Sequence, residues 1–314
     1  MRESEKGRDL RIAVLITTFN RVAVTLRGLE AFFAAVAQQD IASFEVFLVD
    51  DASPDGTAAK VRAAFPEVHV SLGNGKLWWN GGMVQAYRDA LAAPHDYDAY
   101  LLYNDDVILK PGALEELVQT FVELNRQGPA ALTGSMCTSD EPPRPSYPGL
   151  SINPKHNPLR RPFHPRLLMQ VPPDGTLKEC DTFHANCVLI PASLMLRSGG
   201  IDPIFHHRHG DTDLGFRLRR MGCRNFMMPD YVGICELNAP FPVPPSLIGR
   251  LMFNLAPPNP IYDDLNMVFR RYPFHIACAN SVIRIAYLVR NALWPARAGH
   301  PIQQRRPQNQ RGPK

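Results

Sequence analysis

Along the first hundred residues, unbroken apolar runs alternate with stretches whose apolar positions recur at helical spacing. Residues 11–18 (RIAVLITT), 45–49 (EVFLV), 68–72 and 99–103 are short, mostly apolar runs, which predicts strands buried in a sheet. Helices are predicted over 24–37, 57–65, 81–91 and 112–126. Such alternation predicts an α/β fold: a doubly wound, mostly parallel, Rossmann-like sheet with helices on both faces. In sheets of this kind ligands bind beyond the carboxyl ends of the strands. The polar clusters of this chain fall at those ends.

The pattern changes after residue 126. Residues 139–175 are rich in proline and carry Arg144, Lys155, His156, Arg160 and Arg161, which reads as an extended loop over the sheet with room for a hairpin. Regular structure resumes over 182–191, and a helix over 212–221 is stopped by Gly222. An apolar stretch over 276–294 is broken by Asn280, Arg284, Arg290 and Asn291, too polar to span a bilayer. Residues 301–314 are Gln-, Arg- and Pro-rich and read as a disordered basic tail.

A length of 314 residues with 45% hydrophobic side chains suits one large domain with an extension. The net charge of +4, with no large Lys/Arg block in the folded part, argues against nucleic-acid binding. None of the six cysteines forms a C-x-x-C pair, so free thiols in a reducing compartment are expected rather than a zinc ribbon. Residues 1–9 are polar, without the apolar core of a signal peptide, and a cytoplasmic location is expected.

Four clusters carry the candidate chemistry. Thr17-Thr18-Phe19-Asn20-Arg21 follows the first strand, and Asp50-Asp51-Ala52-Ser53 follows the second. A strand-end carboxylate can accept hydrogen bonds from a base or a ribose hydroxyl, but Asp50, Asp51 and Ser53 can equally cap a turn or helix. No G-x-G-x-x-G follows the first strand, so the turn of dinucleotide enzymes is missing. Asn104-Asp105-Asp106 ends the fourth strand, and two adjacent carboxylates need a cation or protons between them. Mg²⁺ or Mn²⁺ takes such ligands together with substrate phosphates. His209-Gly210-Asp211-Thr212-Asp213 opens a helix, where an aspartate can cap the helix or act as a general base. A further segment, Lys76 to Met83, pairs Gly81 with Gly82 beside Trp78 and Trp79, allowing close backbone approach to a phosphate and stacking on a sugar.

The motifs T-T-F-N-R, V-D-D-A-S-P-D-G-T, N-D-D-V and G-D-T-D-L-G-F-R-L-R-R-M-G occur in the order and spacing of family-2 glycosyltransferases, and over residues 11–235 the chain resembles them. It is similar to bacterial members that build rhamnose-containing or other surface polysaccharides. The resemblance implies a GT-A fold and an inverting transfer from a nucleoside-diphosphate sugar with a divalent cation. It implies that Thr17, Asp50 and Asp51 hold the nucleoside, that Asp106, with Asp105 second, holds the metal, and that Asp211 is the base. The wider donor-binding set adds Thr18, Asn20, Arg21 and Ser53, then Trp79, Asn80, Gly81 and Gly82, then Asn104 and Asp105. Two departures stand out. The Glu of the family's Glu-Asp pair is Gly210 here, which lets Asp213 compete as base. The metal-binding His of many relatives is absent after 231–235, leaving Glu236, His206, His207 or His209 as substitutes.

The expected organisation is a tail (1–10), a catalytic domain (11–240) with nucleotide-binding (11–110) and acceptor-binding (111–240) halves, a helical extension (241–300) and a basic tail (301–314). The expected acceptor is a saccharide or lipid-linked saccharide, the latter at the inner face of the cell membrane. The extension then has two readings: a helix packed on the catalytic domain, or an apolar face that, with Arg297, Arg305, Arg306, Arg311 and Lys314, lies on an anionic membrane. The alternatives to a transferase are a sugar-nucleotidyltransferase, which would carry a Gly-rich basic loop after the first strand, and an inactive nucleotide-sugar-binding protein.

Overall fold

The apolar run at the N-terminus becomes β1 (Leu10–Thr18), the centre of a parallel block with β2 (Ala42–Asp50), β3 (His69–Leu72) and β4 (Ala99–Tyr103). These coordinates, a computed structural model, describe residues 10–159, 168–238, 242–255 and 261–293. The register sets Thr18 beside Asp50 and Ile12 beside Ala99, so β1 and β2 end together at one edge of the sheet. Helices α1 (Val22–Val36), α2 (Thr57–Ala64) and α3 (Trp78–Leu91) connect the strands.

The second half completes the sheet less regularly. It contains β5 (Ile108–Leu109), α4 (Ala113–Gln127), β6 (Ala130–Cys137), β7 (Pro145–Tyr147), β8 (Gly149–Ile152), β9 (Leu168–Val171), β10 (Lys178–Cys180), β11 (Cys187–Pro191), α5 (Ala192–Ser198), α6 (Gly210–Arg220) and β12 (Arg224–Ile234). The strand order is β10-β12-β6-β11-β4-β1-β2-β3, with β5 on β12 and β7 on β6. β11 runs antiparallel between β4 and β6, which makes the sheet mixed where the apolar runs alone suggest parallel strands. The stretch expected as a loop over 139–175 holds β7 and the β8–β9 hairpin, while Arg160 and Arg161 lie outside the described residues.

One boundary differs for an instructive reason. The sequence reading starts this helix at Gly81 and leaves Trp78-Trp79-Asn80 in the preceding loop. In the structure α3 starts at Trp78, and Asp51 Oδ2 accepts from the backbone N–H groups of Leu77 (2.8 Å) and Trp78 (3.1 Å). The free N–H groups of a helix start are thus satisfied by a residue of another strand end. Gly82 lies inside this helix because a Cβ there would overlap the Thr17 side chain, so glycine lets α3 press against β1.

The two faces of the sheet bury separate cores. Ile12, Val14, Leu48 and Leu101 meet Leu29 and Phe32 of α1 and Leu117 and Phe121 of α4 on one face. Ala13, Leu15 and Leu102 meet Met83 and Tyr87 of α3 and Leu214 and Leu218 of α6 on the other. Three more helices follow: α7 (Leu247–Phe253), α8 (Ile261–Arg271) and α9 (Phe274–Leu293). Met267, Val268 and Ala277 from α8 and α9 pack on Phe205 and Phe216, so the extension shares a core with the main domain. Trp294 and the tails over 1–9 and 301–314 lie outside the described residues. Among the described residues no helix is long and apolar enough to cross a membrane.

Candidate active site

The loops after β1 and β4 meet at the edge of the sheet. Arg21 Nε donates to Asp105 Oδ2 at 2.9 Å and Nη2 donates to Oδ1, while Nη1 lies 3.3 Å from Asp106 Oδ2. Thr25 Oγ1 also donates to Asp105 Oδ2, at 2.8 Å. One guanidinium therefore supplies the positive charge that the adjacent carboxylates require. Burial works against the Arg21 charge, but its hydrogen bond to Asp105 and the charges of Asp105 and Asp106 outweigh it and hold the pKa above its ordinary value. The two aspartates are not equivalent. Asp105 is wholly buried, with both oxygens bonded, whereas the Asp106 side chain keeps 14% of its surface. Burial pushes the Asp106 carboxyl up, against the opposing charge of Arg21. Cys235 Sγ donates to Asp106 Oδ1 at 3.3 Å, and burial, then the nearby Asp106 charge, keeps that thiol protonated.

The loops after β2 and β3 are tied together by two further carboxylates. Asp50 accepts from Ser53 N–H (3.1 Å), Ser53 Oγ and Ala58 N–H (2.9 Å), which closes the turn into α2. Asp51 accepts from Gly75 N–H (2.7 Å) as well as from the start of α3. Asn20 N–H donates to Ser53 Oγ at 2.7 Å, joining the first loop to the second. Beside these loops opens a cavity of about 540 Å³ lined by Thr17, Thr18, Phe19, Arg21, Asp51, Gly75, Trp78, Trp79, Asn104, His207 and Asn238. Trp79 Nε1 donates to Asn104 Oδ1 at 3.0 Å, which fixes the indole at the wall. Asp50, Asn80, Gly81 and Gly82 are not among the lining residues; Asp50 and Asn80 are buried and braced internally. Asn80 Nδ2 donates to the carbonyls of Asp202 (2.9 Å) and Phe205 (2.8 Å).

Among the described residues, the four non-glycine residues with left-handed backbone are Asn20, Ala52, Trp78 and His209, at φ 53°, 57°, 54° and 70°. Asn20 and Ala52 sit in the loops after β1 and β2, Trp78 opens α3, and His209 immediately precedes α6. Such conformations cost about 1–3 kcal/mol each and persist where surrounding bonds fix them.

The start of α6 distinguishes the two aspartates that the sequence leaves in competition. Asp213 Oδ2 accepts from Arg217 Nε (2.6 Å) and from Arg270 Nη1 (3.0 Å), and the residue is buried. Asp211 accepts from the N–H groups of Thr212 (2.7 Å) and Ala185 (3.2 Å), and its Oδ2 lies 3.6 Å from His184 Nδ1. Burial pushes the Asp211 carboxyl up, but the neighbouring His184 and the two N–H donors override it and hold the pKa below the ordinary value. Asp211 is thus ionised and keeps 17% of its side chain exposed. Gly210 stands where the resemblance expects Glu, because Asn80 Oδ1 occupies the space of a Cβ at 210.

Sequence reasoning missed the contribution of α8. Buried Asp263 accepts from the N–H groups of His206 (3.2 Å), His207 (3.2 Å) and Arg208 (3.3 Å). Asp264 Oδ1 lies 2.8 Å from His209 Nε2 and its Oδ2 pairs with Arg284. The Asp263-Asp264 pair was visible as a motif but falls beyond the stretch that resembles a family. His184 carried no signal beyond lying between Thr182 and Cys187.

The donor set fits a hard cation held by one carboxylate and completed by phosphate oxygens, the way Mg²⁺ commonly binds. Asp106 is the better placed of the two to hold it: its contacts to Cys235 and Arg21 are long, 3.3 Å each, and its side chain keeps 14% of its surface, whereas Asp105 is wholly buried against Arg21 and Thr25. Among the described residues no group of three or more His, Cys, Asp or Glu is arranged around a metal position. Of the substitutes for a third ligand, Glu236 Oε1 accepts from Ser139 N–H at 2.7 Å, while His206 and His209 meet Asp263 and Asp264. His207 lines the cavity, edge-on to Trp78 at 5.6 Å.

Comparison with known proteins agrees with this geometry. The sequence profile described as Glycosyl transferase family 2 matches residues 13–165. Over that stretch the chain is similar to glycosyl transferase family 2. The matched stretch contains Arg21, Asp51, Trp79, Asp105 and Asp106, so the residues gathered at the strand ends fall inside the similarity. The mixed, mostly parallel sheet with flanking helices is the α/β architecture that the resemblance implies. Asp211 and Asp213 lie outside the matched stretch, so their roles rest on geometry. No curated protein matches the chain in sequence. Among solved structures it is similar to the mannosyltransferase PcManGT from Pyrobaculum calidifontis in complex with GDP-Man and Mn²⁺, at 16% identity and TM-score 0.48, covering 92% of this chain and 77% of that one. It is also similar to S. aureus TarS 1–349, at 12% identity and TM-score 0.45, covering 71% of this chain and 59% of that one.

Proposed function

We propose that this protein belongs to family 2 and transfers one sugar, with inversion, from a nucleoside-diphosphate sugar to a saccharide or lipid-linked saccharide during synthesis of a cell-surface polysaccharide. The observation that carries the reading is the cavity at the strand ends, where Asp51, Trp79, Asn104 and Arg21 gather, with Arg21 bound to the Asp105–Asp106 pair. Thr17, Thr18, Asp51 and Trp79 hold the nucleoside and the sugar. Asp50, Asn20 and Ser53 keep the first two loops in place.

Asp106 would hold a divalent cation, Mn²⁺ or Mg²⁺, which when bound would supply charge neutralisation for the departing diphosphate. Arg21 adds a second positive charge beside that diphosphate. Asp211 takes the proton of the acceptor hydroxyl, whose oxygen attacks the anomeric carbon from the face opposite the diphosphate. The bond between the anomeric carbon and the diphosphate oxygen breaks, and its electron pair leaves with the diphosphate. His184 orients Asp211 and keeps it ionised, a positioning role. Asp213 has no part in proton transfer, because two arginines hold it.

Incubating the full chain with a panel of nucleotide sugars and Mn²⁺ or Mg²⁺ tests the reading. Slow hydrolysis of one donor, abolished by Asp106→Asn, is expected. A chain that binds no nucleoside diphosphate with either metal would contradict it.

A further inference from the structure

The chain divides its charge unevenly. Only two of its 30 acidic residues, Asp263 and Asp264, lie beyond Glu236, whereas ten of its 34 lysines and arginines do. Both of those acids are buried, Asp263 against the 206–208 backbone and Asp264 against His209 and Arg284. The described surface of the extension therefore presents cations without an exposed acid. Arg290 is exposed near the end of α9, and Arg250 on α7 donates to the carbonyl oxygens of Ala292 (2.7 Å) and Pro245.

The same segment exposes large apolar side chains. On α9, Phe274, Val282, Ile285, Val289 and Leu293 are exposed at spacings that keep them in one stripe along the helix, while Ala277, Asn280 and Ala292 face inward. Helix α7 buries no residue at all. It exposes Leu247, Ile248, Leu251 and Met252, with Ile248 74% accessible, and leans on α9 through Arg250. A seven-residue helix of sequence LIGRLMF with no buried residue leaves its apolar side chains without a core to enter among the described residues.

We propose that the α7–α9 face is a docking surface for an anionic lipid bilayer. Apolar side chains beside cations and away from acids suit an interface whose interior is hydrocarbon and whose headgroups are negative. A second copy of the chain fits less well, because pairing this face with itself would bring Arg250 and Arg290 of both copies together. The chain's own C-terminal segment is also a poor cover: residues 295–314 are Gln-, Arg- and Pro-rich and add Arg297, Arg305, Arg306, Arg311 and Lys314 to the same charge. Because α8 holds the 206–209 loop, the docked extension is also the element that touches the catalytic side. The proposal does not depend on the reaction assigned above.

Flotation of the full chain with vesicles of phosphatidylcholine, with and without phosphatidylglycerol, and at low and high salt, tests it without any sugar substrate. The wild type is expected to float with the anionic vesicles, less at high salt, and the double variant Ile248→Glu, Val289→Glu to lose at least about ten-fold of that binding with its unfolding temperature kept. If the double variant does not fold, Arg290→Glu carries the test, with an expected loss of roughly five-fold on anionic vesicles and no change on neutral ones. Absence of flotation, equal binding to neutral and anionic vesicles, binding unaffected by these substitutions, or a lipid-free dimer that Ile248→Glu, Val289→Glu dissociates would each overturn the proposal.

Discussion

Arg270, on α8 of the C-terminal extension, donates to the Asp213 carboxylate at 3.0 Å, although 57 residues separate them. The same guanidinium donates to Asp202 at 2.7 Å. The extension is thus bolted to the first turn of the helix that carries Asp211, and the loop before it hangs from Asp263.

Arg270→Ala should therefore damage transfer more than donor binding. It leaves buried Asp213 with one arginine instead of two, a loss of about 1–3 kcal/mol, and frees the loop over 202–209. The expected result is a lower kcat with donor affinity retained, and faster proteolysis within that loop. Wild-type kcat in this variant would remove α8 from the catalytic account.

Asp211→Asn and Asp213→Asn should separate the two roles. The first is expected to fold normally and lose transfer by about 10²–10⁴-fold; the second should lose stability first. Since Asp211 is held below the ordinary carboxylate value, the rate should stay flat through mild acid and fall only below the usual carboxylate range. His184→Ala removes the main interaction holding it down, leaves burial opposed only by the N–H donors, and should move that acid limb to higher pH. An active Asp211→Asn enzyme beside an inactive but folded Asp213→Asn would reverse the assignment.

Restoring the family's glutamate should fail. In Gly210→Glu the new Cβ would overlap Asn80 Oδ1, and overpacking of this kind costs about 1–3 kcal/mol. Asn80→Ala should relieve part of that cost, so the double variant should be more stable than the two single losses summed predict. Thermal unfolding of the four proteins gives the answer, and strict additivity would show that Asn80 is not the obstacle.

Asp264 predicts an acid-sensitive step in stability. Burial opposes its charge, but His209 and Arg284 outweigh burial and hold the pKa at about 2 against an ordinary 3.8. A depressed carboxylate stabilises the fold above its unfolded pKa and loses that stabilisation as pH falls through the folded value. The contribution is roughly 2 kcal/mol, present above about pH 4 and lost toward pH 2. Asp264→Asn should lower stability at neutral pH and flatten its change between those limits in urea titrations.

Much of the nucleotide half could be read from residue order. The strands ending at Thr18, Asp50 and Tyr103 declare themselves as apolar runs, and each is followed by the polar cluster that gathers at the sheet edge. What could not be read depended on partners distant in sequence. The start of α3 has no local cap, since Asp51 satisfies it. The positive charge beside Asp105 is supplied by Arg21, 84 positions earlier. The choice between Asp211 and Asp213 turns on Arg270 and His184, and neither spacing nor periodicity announces those contacts.

The most direct test of the account is calorimetric titration of nucleoside diphosphates into wild-type protein and Asp106→Asn, each with and without Mn²⁺. Asp106 is the more exposed and less tightly bonded acid of its pair, so the wild type should bind one nucleoside diphosphate tightly only with Mn²⁺, and Asp106→Asn should lose that metal-dependent gain while its fold survives. Equal binding by wild type and variant in Mn²⁺, or wild-type binding indifferent to the metal, would contradict the claim that this strand end is a metal-assisted donor site.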